Sequence, residues 1–362
     1  MISQRAHRPI YLLPKDAYQS EEWLSLERRR LFAGRWTLVA AVEELANPGD
    51  FTAKVIGDAP VLIVRGDDGA LRAFHNLCRH RGMQLLDGDG TCDARIECFY
   101  HHWRYGLDGG LQVVPQRKEQ FPDLDTEEWG LLPASVGVWE GMVFAHPDPL
   151  APPLEDALAG LALHVGSHRP GLLQQIARVD LDAHCNWKLF VENHIDVYHL
   201  WYLHEQSLGD LDHTQFDHSF VGADWFSYEP IRAPDAAQER LDRVTTIAHL
   251  AERDRLGIQA HLVFPNLLVA ATAEYFITYG PVPVAPDRSR IELRVRAEPG
   301  ADPVALVAAA KSFIVEDILA CERVQAGLAS PAFEVGPLAL EHERPIQVFH
   351  EHLLDALESA AP

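Results

Sequence analysis

The sequence predicts an α+β fold in which a strand-rich unit is followed by a unit with long helices. Residues 36–147 alternate short β-branched runs with turn signals such as Asn47-Pro48-Gly49-Asp50, a spacing typical of small antiparallel sheets. Apolar residues recur at helical spacing in three later stretches: 187–201, 304–328 and about 343–358. Strand patterns occupy 259–280 and 290–297. Strands followed by long helices favour the α+β class.

The order of the elements predicts two domains. Residues 20–35 have apolar side chains at helical spacing, which predicts a helix ahead of the strand-rich unit. Four prolines between Pro147 and Pro153 indicate a linker after it. We therefore predict one domain at 38–148, inserted into a second domain built from 1–37 and 149–362.

Composition excludes several classes of protein. The net charge of −22 argues against nucleic acid or an anionic membrane as a partner, and no apolar run approaches the ~20 residues of a membrane helix. The N-terminus lacks the apolar core of a signal peptide, so a cytoplasmic location is expected. Five cysteines do not form an even disulfide framework.

Four residues of the strand-rich unit form a metal-ligand pattern. Cys78 and His80 read C-x-H, and Cys98 and His101 read C-x-x-H after a gap of seventeen residues. Two thiolates and two imidazoles can hold a [2Fe–2S] cluster, with the cysteines on one iron and the histidines on the other. A Cys₂His₂ zinc site uses the same ligands, but zinc motifs usually pair like with like. Because each half here carries one Cys and one His, the pattern favours the cluster.

A second candidate metal site lies at the end of the predicted helix 187–201. Non-heme iron that activates O₂ is typically held by two histidines and one carboxylate. His199 and His204 are five residues apart, so they converge only if the helix is distorted or ends between them. Asp196 precedes His199 by three residues and is placed to accept a hydrogen bond from its imidazole. An ordinary helix with surface histidines is the alternative.

The third ligand has to come from elsewhere. The helix predicted at 304–328 has an apolar stripe: Ile314, Ile318, Cys321, Val324 and Leu328. Asp317 falls inside this stripe, where a carboxylate is costly unless a cation or donors compensate. We therefore predict Asp317 as a ligand, with a capping or salt-bridged role as the alternative. Glu316 lies off the centre of the stripe, which predicts contact with solvent or with the outside of the site.

These motifs together resemble the oxygenase (alpha) component of Rieske non-heme iron oxygenases. The resemblance rests on the runs at 76–82 and 98–105, on the pattern E-N-x-x-D-x-Y-H-x₄-H at 192–204, and on 316–325. The last run is most similar to the choline- and carnitine-monooxygenase branch. The family usually has Pro after the second Cys and Gly after the second His, where this chain has Phe99 and His102. His102 and His194 are the rival ligands to be tested.

The resemblance implies an all-β Rieske domain inserted into a helix-grip (Bet v1-like) catalytic domain. It implies these roles: Cys78, His80, Cys98 and His101 hold a [2Fe–2S] cluster; His199, His204 and Asp317 hold a mononuclear Fe(II); Asp196 bridges the two sites across a subunit boundary. It also implies a head-to-tail homotrimer that receives electrons from NAD(P)H through a separate reductase or ferredoxin. The chain has no G-x-G-x-x-G fingerprint with which to bind the nucleotide itself.

The expected function is hydroxylation or oxidative demethylation of a small organic substrate with O₂. Two alternatives stay open at this stage, an aromatic-ring cis-dihydroxylating dioxygenase and a non-catalytic Rieske electron-transfer protein. Candidate pocket residues are aromatic: Trp201, Trp225, Phe226, Tyr228, Tyr275 and Phe276. An aromatic cage would favour a quaternary ammonium group, whereas the alternative is that these side chains simply form core.

Overall fold

The computed structural model describes residues 10–209, 211–220, 225–232, 241 and 244–359, with the backbone alone described for 211–220 and 225–232. The chain divides into two compact units, Glu27–Ala157 and Met1–Leu26 with Leu158–Pro362. The division falls inside the first helix, α1 (Glu21–Arg30). That helix is shorter than the predicted 20–35, because a separate 3-10 turn, Phe32–Gly34, follows it.

The unit Glu27–Ala157 is built from short strands. They are β1 (Thr37–Ala41), β2 (Asp50–Ile56), β3 (Ala59–Arg65), β4 (Leu71–His75), β5 (Asp89–Thr91), β6 (Arg95–Glu97), β7 (Arg104–Gly106), β8 (Leu111–Val113), β9 (Pro133–Trp139) and β10 (Met142–His146). Two short helices are α2 (Arg117–Gln120) and α3 (Leu154–Ala157). Seven strands form one antiparallel sheet in the order β1-β10-β9-β4-β3-β2-β5, and β6-β7-β8 form a second.

The apolar run of β3 explains why this unit has two cores. Leu62 and Val64 lie in a core that also contains Trp103 and Tyr105, whereas the alternate residues Val61 and Ile63 lie in a core on the other face. Successive side chains of a strand point to opposite faces, so a strand buried on both sides is continuously apolar. The first of these cores also holds Cys78 and Cys98.

The second unit combines a large sheet with long helices. Its strands are β11 (Gln174–Ala183), β12 (Leu211–Phe220), β13 (Trp225–Arg232), β14 (Gln259–Val263), β15 (Leu267–Ala271), β16 (Phe276–Tyr279), β17 (Pro281–Ala285) and β18 (Arg288–Ala297). Its helices are α4 (Ala159–His164), α5 (Trp187–Ile195), α6 (Leu200–Leu203), α7 (Pro303–Leu328) and α8 (Arg344–Ser359). The antiparallel sheet runs β11-β18-β16-β15-β14-β13-β12, with β17 paired to β18. No helix in the described ranges is long and apolar enough to cross a membrane.

Helix α7 begins where its sequence indicates. Asp302 caps it by accepting a hydrogen bond from the backbone of Val304 at 2.9 Å, and Pro303 occupies the first turn. The predicted apolar stripe is wrong at Val324, which is 47% exposed. The buried face continues instead through Gln325, because the next position on the same side of the helix after Cys321 is four residues on.

The predicted helix 187–201 is wrong in its second half. Helix α5 ends at Ile195, and Asp196 adopts an extended conformation with ψ 103°. The backbone N–H of Val197 donates to the carbonyl of His342 at 3.1 Å instead of to its own helix. A second short helix, α6, then starts at Leu200. The chain therefore breaks before His199, and His199 and His204 flank the short helix α6 as its N-cap and C-cap residues.

Candidate functional site

The predicted cluster residues lie on two loops of the all-β unit. Cys78 and His80 follow β4, and Cys98 and His101 lie between β6 and β7. Each loop is closed by a backbone hydrogen bond, from Cys78 N–H to the carbonyl of Met83 (2.7 Å) and from Cys98 N–H to the carbonyl of Trp103 (2.9 Å). These turns bring the two loops together at one end of a shared core.

The four side chains meet in like pairs. The thiols of Cys78 and Cys98 are hydrogen-bonded to each other, and burial raises the pKa of Cys98. The imidazoles of His80 and His101 lie edge to face with ring centroids 4.6 Å apart. This arrangement fits two metal ions, one on the sulfur side and one on the nitrogen side.

Two observations test this fit. His80 Nδ1 is buried and has no hydrogen-bond partner among the described residues, so a metal ion would satisfy an otherwise unused donor atom. Within the described part of the chain, one group of three or more potential metal donors lies within 4.8 Å of one another. That group contains neither Cys78 nor Cys98. A single tetrahedral zinc would need all four donors around one point, so the geometry favours the two-iron cluster.

Phe99 and His102, the two residues that depart from the family pattern, face away from the pair His80 and His101. His102 has φ 54°, in the left-handed region that favours glycine, and its Nδ1 is 2.6 Å from Glu97 Oε1. Its side chain is 62% exposed. The ring of His102 therefore contacts Glu97 and solvent, and its φ lies in the region that glycine, the usual residue at this position, adopts readily. Phe99 is also exposed.

The second predicted site is brought together in the other unit. One ligand atom from each of His199, His204 and Asp317 lies within 4.8 Å of the others. Asp317 Oδ1 is 3.0 Å from His204 Nε2 and 3.4 Å from His199 Nε2. Burial alone would raise the pKa of Asp317, but hydrogen bonds from the two histidines hold it below its ordinary range. Two imidazoles and one carboxylate fit the donor set of a non-heme iron.

Two of these candidate ligands, Asp317 and His199, are oriented by a second residue. Asn193 Nδ2 donates to Asp317 Oδ1 at 2.7 Å. The backbone carbonyl of Asp196 accepts from His199 Nδ1, while the carboxylate of Asp196 lies 3.7 Å from the same nitrogen. Burial alone would lower the pKa of His199, but hydrogen bonds to Asp196 and Asp317 raise it to about 10. The ring nitrogens that face the site are therefore the Nε2 atoms.

His194, the rival iron ligand, is occupied by other partners. Its Nε2 donates to the carbonyl of His261 at 3.0 Å, and its Nδ1 accepts the hydroxyl of Tyr279 at 2.8 Å. Burial lowers the pKa of His194 to about 4, so the ring is neutral at pH 7. The structure does not bring it into the ligand set.

A cavity of about 30 Å³ lies beside the three candidate ligands and is partly open to solvent. Its walls include the three candidate ligands, five aliphatic residues and the aromatic rings of Tyr275, Tyr279 and Phe313. Among the predicted pocket aromatics, Tyr275 lines this cavity, and Phe276 is fully buried core. The side chains of Trp225, Phe226 and Tyr228 lie outside the described residues.

Family comparison decides the class. Residues 171–359, just over half of the chain, match the family described as ring hydroxylating alpha subunit (catalytic domain), and residues 35–130 match the Rieske [2Fe-2S] domain. The chain belongs to the ring-hydroxylating alpha subunits. The predicted family and fold class are therefore confirmed, and so is the pair of cofactors typical of this family, a Rieske [2Fe–2S] cluster and a non-heme iron.

Several ring-hydroxylating relatives are similar in sequence. The carnitine monooxygenase oxygenase subunit of Escherichia coli (strain K12) is 36% identical over 192 residues, which is 52% of this chain and 51% of that protein. This chain thus spans about half the length of that relative. The chloroplastic choline monooxygenase of Spinacia oleracea is 28% identical over 372 residues, 98% of this chain and 79% of that protein. The chlorobenzene dioxygenase subunit alpha of Cupriavidus sp. (strain PS12) is 36% identical over 194 residues, 50% of this chain and 42% of that protein.

Solved structures share the fold. The quaternary ammonium Rieske monooxygenase CntA in complex with L-carnitine has a TM-score of 0.79 and 24% identity, covering 96% of both chains. Naphthalene 1,2-dioxygenase from Rhodococcus sp. has a TM-score of 0.77 and 20% identity, covering 97% of this chain and 95% of that one.

Sequence reasoning missed several residues around the candidate iron site of this alpha subunit. Phe313 lies four residues before Asp317 on α7, so helical spacing could have placed it beside the ligand. Tyr279 contacts His194 across 85 residues of sequence, and no local pattern predicts such a pair. Ser207 and Asn193 also belong to this group, because they donate hydrogen bonds to Glu316 and Asp317 of α7.

Proposed function

We propose that this chain is the oxygenase component of a Rieske-type monooxygenase. It would use O₂ and externally supplied electrons to hydroxylate, or oxidatively demethylate, a small quaternary ammonium compound. The observation that carries the proposal is the grouping of His199, His204 and Asp317 on the wall of an aromatic cavity. A ligand set of this kind leaves coordination positions free for O₂ beside a bound substrate.

In this proposal the cluster is held by Cys78, His80, Cys98 and His101, and the iron by His199, His204 and Asp317. When bound, the cluster would supply single electrons and the iron would activate oxygen. The protein's own part is to present the Nε2 atoms and one carboxylate to the cavity and to hold the substrate against them. Asn193 restrains Asp317 through its side-chain amide.

The walls of the cavity support a cationic substrate. Three aromatic rings, those of Tyr275, Tyr279 and Phe313, lie around a space next to buried Asp317. A quaternary ammonium group cannot donate a hydrogen bond, and it is attracted to the faces of aromatic rings. Several relatives bear names that refer to such substrates, carnitine and choline.

The proposal also covers the domain boundaries, the assembly, the location and the electron supply. We propose a Rieske domain at 38–148 and a catalytic domain formed by 1–37 and 149–362. We also propose a head-to-tail homotrimer in the cytoplasm, in which Asp196 of one subunit meets the cluster loop of the next. Electrons would come from NAD(P)H through a separate ferredoxin or flavin reductase.

The test combines metal analysis with turnover. Anaerobically reconstituted protein should show the visible spectrum of a Rieske cluster and about three irons per chain, two in the cluster and one beyond it. With a surrogate reductase, NADH and O₂, it should consume oxygen in the presence of carnitine, choline or glycine betaine. Asp317→Ala should keep the cluster spectrum and lose turnover. Colourless protein, or full turnover in Asp317→Ala, would overturn the assignment.

The dioxygenase alternative has one observation in its favour, the similarity to a chlorobenzene dioxygenase subunit alpha. A cis-dihydroxylating enzyme puts both atoms of ¹⁸O₂ into its product, whereas a monooxygenase puts in one. Mass spectrometry of the products from quaternary ammonium and aromatic substrates separates these two. An electron-transfer protein would take up cluster iron alone and would not consume O₂.

A further inference from the structure

Glu316 occupies a position next to the candidate iron site that the proposed function does not yet use. It lies on α7 directly before Asp317, and its side chain is 29% exposed. One oxygen, Oε2, accepts from His204 Nδ1 at 2.7 Å and from the hydroxyl of Ser207 at 2.6 Å. The carboxylate therefore ties the segment after α6 to the helix that carries Asp317.

These contacts determine which nitrogen of His204 carries the proton. A neutral imidazole has one N–H and one lone pair. The carboxylate at Nδ1 requires a proton there, so Nε2 offers its lone pair once a metal ion takes the place of its hydrogen bond to Asp317. That atom lies 3.0 Å from Asp317 Oδ1 and 3.1 Å from His199 Nε2, inside the ligand group. His204 is almost fully buried, so water does not compete for this arrangement.

The two histidines differ in the acceptor that orients them. His199 Nδ1 donates to the neutral backbone carbonyl of Asp196, and the carboxylate of Asp196 lies farther away, at 3.7 Å. His204 Nδ1 donates to a charged carboxylate, which is the stronger acceptor and makes the imidazole a better electron donor. The site is thus asymmetric, with His204 as the more firmly held ligand.

We propose that Glu316 is a positioning residue that fixes His204 with Nε2 toward the metal and increases the affinity of the site. This inference rests on the proposed function, because it assumes that His199, His204 and Asp317 bind a metal ion. Removal of the acceptor leaves His204 free to change tautomer or to rotate. A carboxylate partner of a metal-bound histidine typically contributes about 10- to 100-fold in metal affinity.

The experiment measures binding of Co²⁺ alone to protein that retains its cluster but has lost its mononuclear metal to a chelator. Equilibrium dialysis with cobalt analysis gives the dissociation constant, and Asp317→Ala gives the background. Glu316→Gln should bind Co²⁺ about tenfold more weakly than wild type, and Glu316→Ala more weakly still. The electron paramagnetic resonance spectrum of bound Co²⁺ should change in both variants, because the ligand field of His204 changes.

Matched controls separate positioning from general damage. Glu322→Gln removes the same charge from the same helix, at a side chain that contacts the backbone of His184, and should bind Co²⁺ like wild type. Ser207→Ala leaves the bond from Glu316 to His204 in place and should change the affinity by no more than about twofold. The cluster spectrum and the thermal midpoint should stay unchanged in Glu316→Gln.

The outcomes are distinguishable. If wild-type protein binds no more Co²⁺ than Asp317→Ala, the proposed function fails at its metal site. If wild type binds Co²⁺ and Glu316→Gln matches it in affinity and spectrum, only the role of Glu316 is overturned. Equal weakening in Glu316→Gln and Glu322→Gln would also overturn it, because the effect would then be one of net charge.

Discussion

Single residues decide which of two adjacent histidines lies beside His80. His101 and His102 are neighbours in sequence, yet the backbone turn at His102 sends their side chains in different directions. His101 lies against His80, whereas His102 extends to solvent and binds Glu97. A positive φ at a histidine is uncommon, and here the imidazole contact with Glu97 accompanies it.

This geometry gives a matched pair of variants. His101→Ala should abolish the visible absorption of the cluster and lower the iron content by about two per chain. His102→Ala should retain both, since its ring has no part in the pair of imidazoles. Absorption spectra and iron analysis of the two purified proteins provide the measurement. Loss of the cluster in His102→Ala alone would contradict the assignment.

Asp196 offers a second prediction at this scale. Its carboxylate lies beside His199 but is not among the three grouped donors. Asp196→Asn keeps the shape and the backbone carbonyl, so both metal contents should match wild type while turnover falls. Single-turnover experiments with pre-reduced protein locate the loss in electron delivery. Reduced iron content in Asp196→Asn would indicate that this residue maintains the iron site instead.

At the scale of elements, α5 is fixed by a polar network at its buried face. Glu192 is 6% exposed, and its carboxylate accepts the hydroxyls of Tyr18 (2.5 Å) and Tyr11 (2.8 Å). His350 of α8 lies 3.0 Å away on the same carboxylate. Buried carboxylates require such partners. The network joins three parts of the chain and holds α5, which carries Asn193, against them.

Removing one donor from this network tests its contribution. Tyr18→Phe removes a buried hydroxyl that donates to Glu192 and accepts from Tyr11, so the free energy of unfolding should fall by about 1–3 kcal/mol. Tyr11→Phe is the matched control, because Tyr11 is less buried and its loss should cost less. Urea denaturation of both variants measures the difference. An unchanged midpoint for Tyr18→Phe would show that water replaces the lost donor.

A pH dependence follows from His194 in the same helix. Its pKa is about 4 in the folded protein and about 6.5 in an unfolded chain. As the pH falls, the unfolded state therefore takes up the proton first, and stability declines between about pH 6.5 and pH 4, by about 3 kcal/mol. His194→Gln should lose less stability over this window, as measured by urea denaturation at several pH values. Parallel losses in both proteins would contradict the prediction.

At the scale of the whole molecule, the two candidate sites occupy separate compact units. The four cluster residues belong to Glu27–Ala157, and the three grouped ligands belong to Leu158–Pro362. A head-to-tail ring would let the cluster of one subunit serve the iron of the next. This is the proposed role of Asp196.

Complementation between inactive subunits tests such a ring. Cys98→Ser should lack the cluster, Asp317→Ala should lack the iron, and each should be inactive alone. In co-expressed mixed trimers, about one quarter of the subunit boundaries join an intact cluster to an intact iron site, given random assembly. Co-purified mixtures should therefore recover about a quarter of wild-type turnover. Complete inactivity of verified mixed oligomers would exclude transfer between subunits.

Much of the fold and of the two candidate sites could be predicted from sequence, because the candidate ligand residues follow short, local spacing patterns. The two Cys–His pairs, the histidines at 199 and 204, and the carboxylate on a buried helical stripe are all visible in short windows. The break in the helix after Ile195 could not be predicted, because it depends on a hydrogen bond from Val197 to the distant carbonyl of His342. The contact between Tyr279 and His194 and the partner of Glu316 are also long-range, and only the folded chain reveals them.

The bond between Val197 and His342 has a consequence for biogenesis. The bend that presents His199 is completed by a carbonyl 145 residues further along the chain than Val197. A nascent polypeptide still attached to the ribosome lacks that support until His342 has been synthesised and has left the ribosome. We therefore expect the all-β unit to be able to acquire its cluster early, and the catalytic unit to acquire its metal late. Stalled nascent chains ending before His342 that already retain stoichiometric Co²⁺ would refute this order of maturation.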